Sequence, residues 1–357
     1  MTLILSNDEV EAALSMADCL AATEETYRAL GHGQAATGVR GEILSPTAQP
    51  EALHSLLTMA GTIPAFGIGA VRINSDILTW PRTEHGLRRQ KVPAAPGGRY
   101  VGLVLLFSTE TGEPLAIYPD GIVQRMRVGA VCGLGAKYLA REDSHIAAIL
   151  GSGWQAGGQA MAIAAVRPIT EIRCYSPTAE RCAAFADEWS VKLGIDVRPA
   201  TSLAAAVNGA DVILGATNSM QPVLGPELIE PGMHVSSLKR LELFPETIAR
   251  ADVVFTHMRG DESRITRISG ADLARDTDAA KENMAHRIGQ SDMPMLSDLL
   301  LGRAPARRND QQITMFLNYI GLGVQFAAAG HVIYTKAREL GLGREIPTEW
   351  LTSALPS

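Results

Sequence analysis

The most constraining feature of the sequence is a glycine-rich turn between an apolar run and an alanine-rich stretch. The run Ile146 to Leu150 is followed by Gly151-Ser-Gly-Trp-Gln-Ala, so that Gly151, Gly153 and Ala156 have the spacing G-x-G-x-x-A. Between a strand and a helix, the first glycine permits a tight turn, the second lets the backbone approach a pyrophosphate, and the small third residue lets the helix pack on the strand. The free N–H groups at the start of a helix also bind phosphate. We therefore predict that this turn holds a dinucleotide.

The region around the turn alternates between strand-like and helical patterns. Strands are predicted at 145–150, 171–175, 195–199, 211–216, 233–237 and 252–256, and helices at 154–166, 178–193 and 202–208. Such alternation predicts a parallel sheet that is covered on both faces and binds its ligand beyond the carboxyl ends of the strands. The fold class is therefore α/β, with a Rossmann-type doubly wound sheet.

The end of the second of these strands bears on which nicotinamide cofactor is used. An NAD-selective site usually has an Asp or Glu there for the ribose hydroxyls, but this chain has Tyr175 and Ser176. Ser176, Thr178 and Arg181 suit a 2′-phosphate instead, which favours NADP(H) over NAD(H). The simpler interpretation of Arg181 is an exposed helix residue.

The predicted cofactor contacts follow the ends of successive strands. They are Gly151, Ser152, Gly153, Trp154, Gln155, Ala156, Ser176, Thr178, Arg181, Ala216, Thr217, Asn218, Ser237 and Gly321. For Thr217 and Asn218, ordinary turn chemistry is the alternative.

The segments before and after this region have a different pattern. Helices are predicted at 7–34, at 120–140 with Asp120 as the N-cap, and from 318 to about 340. Strands are predicted at 39–45, 53–59, 66–74, 100–107, 114–118 and 313–316, and residues 75–98 are expected to form a long basic loop. Arg125 and Arg127 are two residues apart in the middle helix, so only one of them can face a given pocket.

Composition excludes several classes of protein. The length of 357 residues permits two domains. The net charge of -6 argues against nucleic acid as a partner. No apolar run reaches the roughly 18–20 residues of a membrane span, and the N-terminus does not resemble a secretory signal. The four cysteines form no C-x-x-C pair. We expect a cytoplasmic protein with reduced thiols and no metal site.

Taken together, the sequence resembles the ornithine cyclodeaminase/μ-crystallin family. The matching pieces, in order, are Glu110-Thr-Gly-Glu-Pro-Leu-Ala, Arg125-Met-Arg-Val-Gly-Ala-Val, Lys137-Tyr-Leu-Ala-Arg, Ile149-Leu-Gly-Ser-Gly-Trp-Gln-Ala, Ala210-Asp-Val-Ile-Leu-Gly-Ala-Thr, Pro231-Gly-Met-His-Val, Gly302-Arg-Ala-Pro and Asp310-Gln-Gln-Ile-Thr-Met-Phe. The resemblance implies a Rossmann domain, here 126–311, inserted into a discontinuous α+β domain for dimerisation and substrate binding, here 1–125 plus 312–357. It also implies a homodimer.

The resemblance further implies which residues bind a small amino or imino acid. Arg127 matches the family's carboxylate-binding arginine, Arg40 matches an earlier strand arginine, and Arg72 falls where a lysine is usual. Arginine is the better carboxylate clamp, but it stays protonated and cannot act as a base. If Arg72 does not transfer protons, Lys91, Lys239 or a bound water are the candidates for the catalytic proton donor.

A second departure concerns an acid that cyclodeaminases carry after the fifth strand. Here Met233-His-Val-Ser-Ser-Leu-Lys continues without one. This favours an NAD(P)-dependent oxidoreductase acting on the α-carbon of an amino or imino acid, as an imine reductase or amino-acid dehydrogenase. An ornithine cyclodeaminase-type lyase and a non-catalytic NADPH-binding protein like μ-crystallin are the alternatives.

Overall fold

The computed structural model describes residues 1–354 apart from 50, 84, 85, 88, 240, 241, 260–262 and 272–291. Its strands are β1 (Thr2–Ile4), β2 (Ala36–Thr37), β3 (Arg40–Pro46), β4 (Ala52–Ile63), β5 (Ile68–Thr79), β6 (Arg82–Thr83), β7 (Gly86–Leu87), β8 (Gln90–Val92), β9 (Val101–Ser108), β10 (Pro114–Pro119), β11 (Ile146–Leu150), β12 (Glu171–Tyr175), β13 (Asp196–Pro199), β14 (Val212–Gly215), β15 (His234–Ser237), β16 (Val253–Thr256), β17 (Ser263–Arg267), β18 (Thr314–Leu317) and β19 (Arg344–Ile346). Its α-helices are α1 (Asn7–Ala13), α2 (Met16–Gly31), α3 (Gly121–Leu139), α4 (Trp154–Val166), α5 (Ala179–Leu193), α6 (Leu203–Val207), α7 (Pro245–Ala249), α8 (Leu296–Leu300) and α9 (Gly323–Leu340).

Seven strands form a parallel sheet in the order β13-β12-β11-β14-β15-β18-β16. Alternate residues of β11 enter two separate apolar cores. Ile149 packs with residues of α4 and α5 on one face, whereas Leu150 packs with residues of α6 and α7 on the other. The predicted doubly wound α/β sheet is therefore confirmed, and its strand order reverses between β11 and β14, which is where such sheets bind ligands.

The remaining larger sheet has ten strands and mixed direction. Its main path is β17-β3-β4-β5-β9-β10-β1-β19, with β2 pairing to β4 and β8 to β5. One face carries alternate buried residues that join the largest core, together with α2, α3 and α9. Leucine, isoleucine and valine side chains on the other face are partly exposed.

The two sheets do not coincide with the predicted division at residues 125 and 311. Strand β17 lies within 126–311 but pairs in parallel with β3 of the ten-stranded sheet. Strand β18 lies beyond 311 but pairs with β15 and β16 in the parallel sheet. Residues 126–311 therefore contribute one strand, β17, to the ten-stranded sheet, and residues 312–357 contribute one strand, β18, to the parallel sheet.

Several local predictions need correction. The predicted helix 7–34 is two helices, because the Ser15 side chain accepts a hydrogen bond from Asp18 N and starts α2 anew. The predicted loop 75–98 contains the end of β5 and all of β8, which pair with Ile77 opposite Val92. The last long helix begins at Gly323 rather than 318, because β18 and a short connection come first. Within the described residues, no helix combines the length and apolar composition of a membrane span.

Helices α3 and α4 cross at unusually close range. A Cβ on Gly129 would lie 2.3 Å from Gly158 O, and a Cβ on Gly158 would lie 2.5 Å from Arg125 O. The backbones of the two helices therefore touch directly. Since α4 follows the glycine turn, this contact fixes the backbone of Arg127, the predicted substrate-binding arginine of α3, relative to the predicted dinucleotide site.

Candidate active site

The glycine turn has the conformation that a dinucleotide requires. Gly151 has φ +114°, and a Cβ there would lie 2.5 Å from Ala216 O, so both conformation and space demand glycine. Gly153 is the N-cap of α4, and a Cβ there would meet no atom within 4 Å. Ala156 is fully buried against the strand. The turn thus leaves an open approach to the backbone at Gly153, and its residues fit a pyrophosphate.

The other predicted cofactor residues lie at the same edge of the parallel sheet. Ser176, Thr178 and Arg181 follow β12, Ala216, Thr217 and Asn218 follow β14, Ser237 ends β15, and Gly321 follows β18. Carboxyl ends of neighbouring parallel strands meet at one edge, so the fold brings these segments together. Arg181 is exposed in the first turn of α5 and, within the described chain, makes no ion pair.

Glu242 organises two of these segments from inside the protein. Its Oε1 accepts a hydrogen bond from Thr217 N at 2.6 Å, and its Oε2 accepts one from Ser237 Oγ at 2.8 Å. The same Oε2 accepts from the backbone N–H groups of Leu238 and Lys239. Glu242 is only 2% exposed, and its two oxygens hold the backbone of both segments in place.

Arg127 is a buried cation without a carboxylate partner among the described residues. Its Nη1 donates to Gln325 Oε1 at 2.5 Å and its Nη2 to Gln124 Oε1 at 2.7 Å, while its buried Nε has no hydrogen-bond partner. Burial, together with the charge of Arg72, lowers the pKa of Arg127 to about 9. An unmatched buried cation is costly and attracts an anion.

Arg72 has a different electrostatic environment. Its Nε and Nη2 both lie 2.7 Å from Asp120 Oδ2, which also accepts a hydrogen bond from Asn74 Nδ2 at 3.2 Å. Asp120 is the N-cap residue of α3, as predicted, but its side chain makes no capping hydrogen bond, because its carboxylate faces Arg72 instead. The positive charge of Arg72 is matched, and that of Arg127 is not.

The two arginines share one aromatic ring. The guanidinium carbons of Arg72 and Arg127 lie 5.1 Å and 4.8 Å from the ring centre of the fully buried Phe326. The charge of Arg40 also lowers the pKa of Arg127, although less than that of Arg72. Arg40 Nη2 lies 3.6 Å from Glu42 Oε2. Two of the three predicted carboxylate-binding arginines, Arg72 and Arg127, therefore contact the same ring.

The two predicted proton-donating lysines lie in different places. Lys91 Nζ is 2.6 Å from Asp76 Oδ2, and Asp76 is four residues beyond Arg72 on β5. That separation is about 13 Å along a strand that rises about 3.3 Å per residue. Lys239 lies at the carboxyl edge of the parallel sheet, where its carbonyl accepts a hydrogen bond from Ser237 Oγ.

Arg125 and Trp154 form a separate contact beside the turn. Arg125 Nη2 lies 3.0 Å from Glu11 Oε1, and its guanidinium carbon lies 4.1 Å from the Trp154 ring. Trp154 Nε1 donates to Gly121 O at 3.0 Å. The two arginines of α3 thus diverge as the helix geometry predicts: Arg125 meets an acid, and Arg127 faces the apolar and amide groups of α9.

Sequence reasoning missed the groups that hold the arginines. Gln325 binds Arg127 from 198 residues away, and Tyr27 Oη accepts from Gln325 Nε2 at 2.8 Å. Neither residue belongs to a motif, and both occupy helical positions that resemble ordinary core or surface. Asp120 had a local signal, but that signal indicated helix capping.

Comparison with known proteins places the chain. A sequence model of the ornithine cyclodeaminase/mu-crystallin family matches residues 84–341. The chain belongs to this family. The resemblance inferred from the motifs is therefore confirmed.

Individual members of the ornithine cyclodeaminase/mu-crystallin family give closer comparisons. A putative dehydrogenase of Rhizobium meliloti is 33% identical over 249 residues, which cover 68% of this chain and 72% of that protein. Delta(1)-pyrroline-2-carboxylate reductase of Bacillus cereus is 31% identical over 250 residues, covering 69% and 74%. The Thermococcus litoralis Delta(1)-pyrroline-2-carboxylate reductase, solved with NADH and L-proline, is 27% identical with a TM-score of 0.76, covering 97% of this chain and 100% of that one.

Proposed function

We propose that this protein is an NAD(P)-dependent oxidoreductase that acts on the α-carbon of an amino or imino acid. The observation that carries the proposal is Arg127, a buried guanidinium whose hydrogen-bond acceptors among the described residues are two amide oxygens and no carboxylate. A substrate carboxylate is the counter-ion that such a group lacks. The similarity to reductases of pyrroline-2-carboxylate supports the same chemical class.

The cofactor site and the arginines would have different roles in the reaction. Residues 151–156 would hold the pyrophosphate through the start of α4, and the segments after β14 and β15 would line the nicotinamide half. A bound nicotinamide supplies or accepts the hydride. Arg127 would hold the substrate carboxylate in one orientation, which positions the α-carbon. Phe326 is fully buried behind the arginines and keeps water from their inner side.

A proton must also move when an imine and an amine interconvert. Lys239 is the better supported of the two lysine candidates, because it lies at the edge of the sheet where the cofactor residues meet. Lys91 is held in its ion pair with Asp76, away from Arg72 along the strand. We propose Lys239 or a bound water as the donor, and a matched Lys239→Met and Lys91→Met pair tests the choice.

The finer preference for NADP(H) rests on the end of β12. No acid stands at Tyr175 or Ser176, and the Ser176 hydroxyl lies 3.5 Å from Thr178 N. Arg181 is exposed one turn into the following helix. These groups suit a 2′-phosphate better than a free ribose hydroxyl pair.

We also propose a cytoplasmic homodimer that forms through the open face of the ten-stranded sheet. Ile43, Leu56 and Val101 lie on this face with exposed fractions of 45%, 38% and 45%. Ile43 and Leu56 are direct cross-strand neighbours, and Ser75 links Leu56 to Val101 in the same row. A contiguous apolar sheet face of this kind is typical of a protein interface.

The activity assay follows nicotinamide absorbance. The protein is incubated with NADPH or NADH and either pyrroline-2-carboxylate or pyruvate plus an amine. Cofactor oxidation that depends on the imine supports the proposal. Proline and ammonia formed from ornithine without net absorbance change would replace it with a lyase, and cofactor binding without either reaction would replace it with a binding protein.

A further inference from the structure

The two oxygens of the Asp120 carboxylate differ in how many hydrogen-bond donors they meet. Its Oδ2 accepts two hydrogen bonds, one from Arg72 Nε and one from Asn74 Nδ2, and it also lies 2.7 Å from Arg72 Nη2 in the ion pair. Its Oδ1 accepts none from the residues that the structure describes. The side chain is 11% exposed, so this second oxygen is close to buried but still reachable. A carboxylate oxygen in this position has capacity for another donor.

The neighbouring strand is shaped around this oxygen. A Cβ on Gly102 of β9 would lie 2.1 Å from Asp120 Oδ1, so any side chain there would displace the carboxylate. Asp120 N also donates to Gly102 O at 3.0 Å. Gly102 lies directly opposite Asn74 of β5, whose side chain binds the other oxygen. Backbone and side chain together therefore fix where Oδ1 lies.

Asp120 adjoins the proposed carboxylate clamp. Arg72, which binds Oδ2, shares the Phe326 ring with Arg127. In an α-amino or α-imino acid, the nitrogen and the carboxylate are attached to the same carbon. A substrate whose carboxylate meets Arg127 can therefore turn its nitrogen toward an acceptor in the same neighbourhood, and Asp120 Oδ1 is such an acceptor, since no described residue donates to it.

We propose that Asp120 Oδ1 accepts a hydrogen bond from the substrate nitrogen, as an amine or a protonated imine. This inference rests on the proposed function. It assigns the recognition of the substrate nitrogen to the start of α3, in a chain whose strand β15 and the two residues after it, together 234–239, contain no acid. Asp120 would then bind the substrate nitrogen, and Arg127 would bind the substrate carboxylate.

The alternative is that Asp120 only positions Arg72. The two roles predict different effects of an Asp120 variant on the affinity for ligands with and without nitrogen. If Asp120 contacts the nitrogen, Asp120→Asn weakens the binding of an amino acid but spares the matched acid that lacks the amine. Because the variant also leaves Arg72 unneutralised, the nitrogen-free acid should bind as well as before or more tightly. A purely positioning role weakens both ligands together.

The experiment measures dissociation constants by calorimetry with saturating reduced cofactor, so that the amino acid is not oxidised. The matched ligands are L-proline with cyclopentanecarboxylate, and L-alanine with propionate. For Asp120→Asn we expect roughly ten- to hundredfold weaker binding of the amino acids, the range for a hydrogen bond to a charged group. Binding of cyclopentanecarboxylate and propionate should not weaken.

A second variant guards against misfolding of the first. Gly102→Ala keeps the charge of Asp120 but displaces its carboxylate, because a Cβ there would lie 2.1 Å from Oδ1 and 2.6 Å from Asn74 Nδ2. It should therefore weaken the binding of the amino acids more than that of the acids that lack nitrogen. Equal losses for both members of a pair in both variants overturn the inference and leave the proposed function intact. If the wild-type protein binds neither member of either pair, the proposed function itself fails, and the inference with it.

Discussion

The different electrostatic environments of Arg127 and Arg72 lead to a quantitative prediction. Arg127 has no carboxylate partner within the described structure, whereas Arg72 is neutralised by Asp120 at 2.7 Å. Arg127→Gln therefore removes one net positive charge from the site. The double variant Arg72→Gln/Asp120→Asn removes a matched pair and leaves the net charge unchanged. Propionate, which carries a carboxylate and no nitrogen, separates the two effects.

The magnitudes follow from burial. Removing one partner of a buried hydrogen-bonded charge pair costs about 2–5 kcal/mol. At about 1.4 kcal/mol per factor of ten, Arg127→Gln should weaken propionate binding roughly 30- to 4,000-fold. The double variant should weaken it less than about tenfold, because the lost Coulomb terms of Arg72 and Asp120 largely cancel. The affinity for NADPH should stay unchanged in both variants.

The stability of the ligand-free protein gives an independent check. Burial, together with the charge of Arg72, lowers the pKa of Arg127 to about 9. Because the pKa of Arg127 is lower in the folded protein than in the unfolded chain, the charged guanidinium is less favourable in the folded state. At neutral pH, below both pKa values, the Arg127 cation therefore lowers the free energy of unfolding, at about 1.4 kcal/mol per pKa unit. Arg127→Gln should therefore not lower the melting temperature without ligand, while the gain in melting temperature on adding propionate should disappear.

Calorimetric titration of propionate into the NADPH complex measures the affinities, and fluorescence of bound NADPH provides the control for cofactor binding. A loss in the double variant as large as that in Arg127→Gln would refute the reasoning, because Arg72 would then contact the carboxylate despite its ion pair. Loss of NADPH binding in Arg127→Gln would instead assign Arg127 a structural role.

Three further predictions concern the cofactor, the stability of the helix crossing and the oligomer. Ser176→Asp should shift the ratio of kcat/KM from NADPH toward NADH by repelling the 2′-phosphate, and an unchanged ratio contradicts the assigned site. Gly153→Ala should weaken cofactor binding at an unchanged melting temperature, whereas Gly129→Ala should lower the melting temperature, since overpacking costs about 1–3 kcal/mol; the opposite pattern contradicts the geometry. Leu56→Lys should produce monomers in light scattering, whereas the control Val191→Lys, at an exposed position on α5, should leave the oligomeric state unchanged. A dimer that persists in Leu56→Lys excludes this face as the interface.

Local features of the fold could be predicted because their causes are local. The turn at Gly151 needs a residue that adopts φ +114° beside Ala216, and the strand before it is continuously apolar because both of its faces are buried. The same reasoning failed for β8, whose polar residues pair with the end of β5 without any apolar alternation. A short edge strand rich in charged residues leaves almost no signal in sequence.

The partners of the charged groups could not be predicted, because they depend on contacts between distant segments. Asp120 has the residue type and position of a helix cap, and only the approach of β5 shows that Arg72 takes its carboxylate. Gln325 binds Arg127 because the first turn of α9 packs on β4, where a Cβ on Gly323 would lie 2.0 Å from Ala60 O. No spacing rule in the sequence connects these pairs.

The close crossing of α3 and α4 links the two halves of the site physically. Gly158 follows the glycine turn by one helical turn, and it touches the backbone of α3 at Arg125 and Gly129, on either side of Arg127. No side chain lies between the two backbones, so neither helix can shift without moving the other. The distance between the glycine turn and the backbone of Arg127 is thus set by contact between the two helix backbones. A site that must present an α-carbon to a nicotinamide benefits from this rigidity, since small misplacements sharply reduce the rate of a positioned reaction.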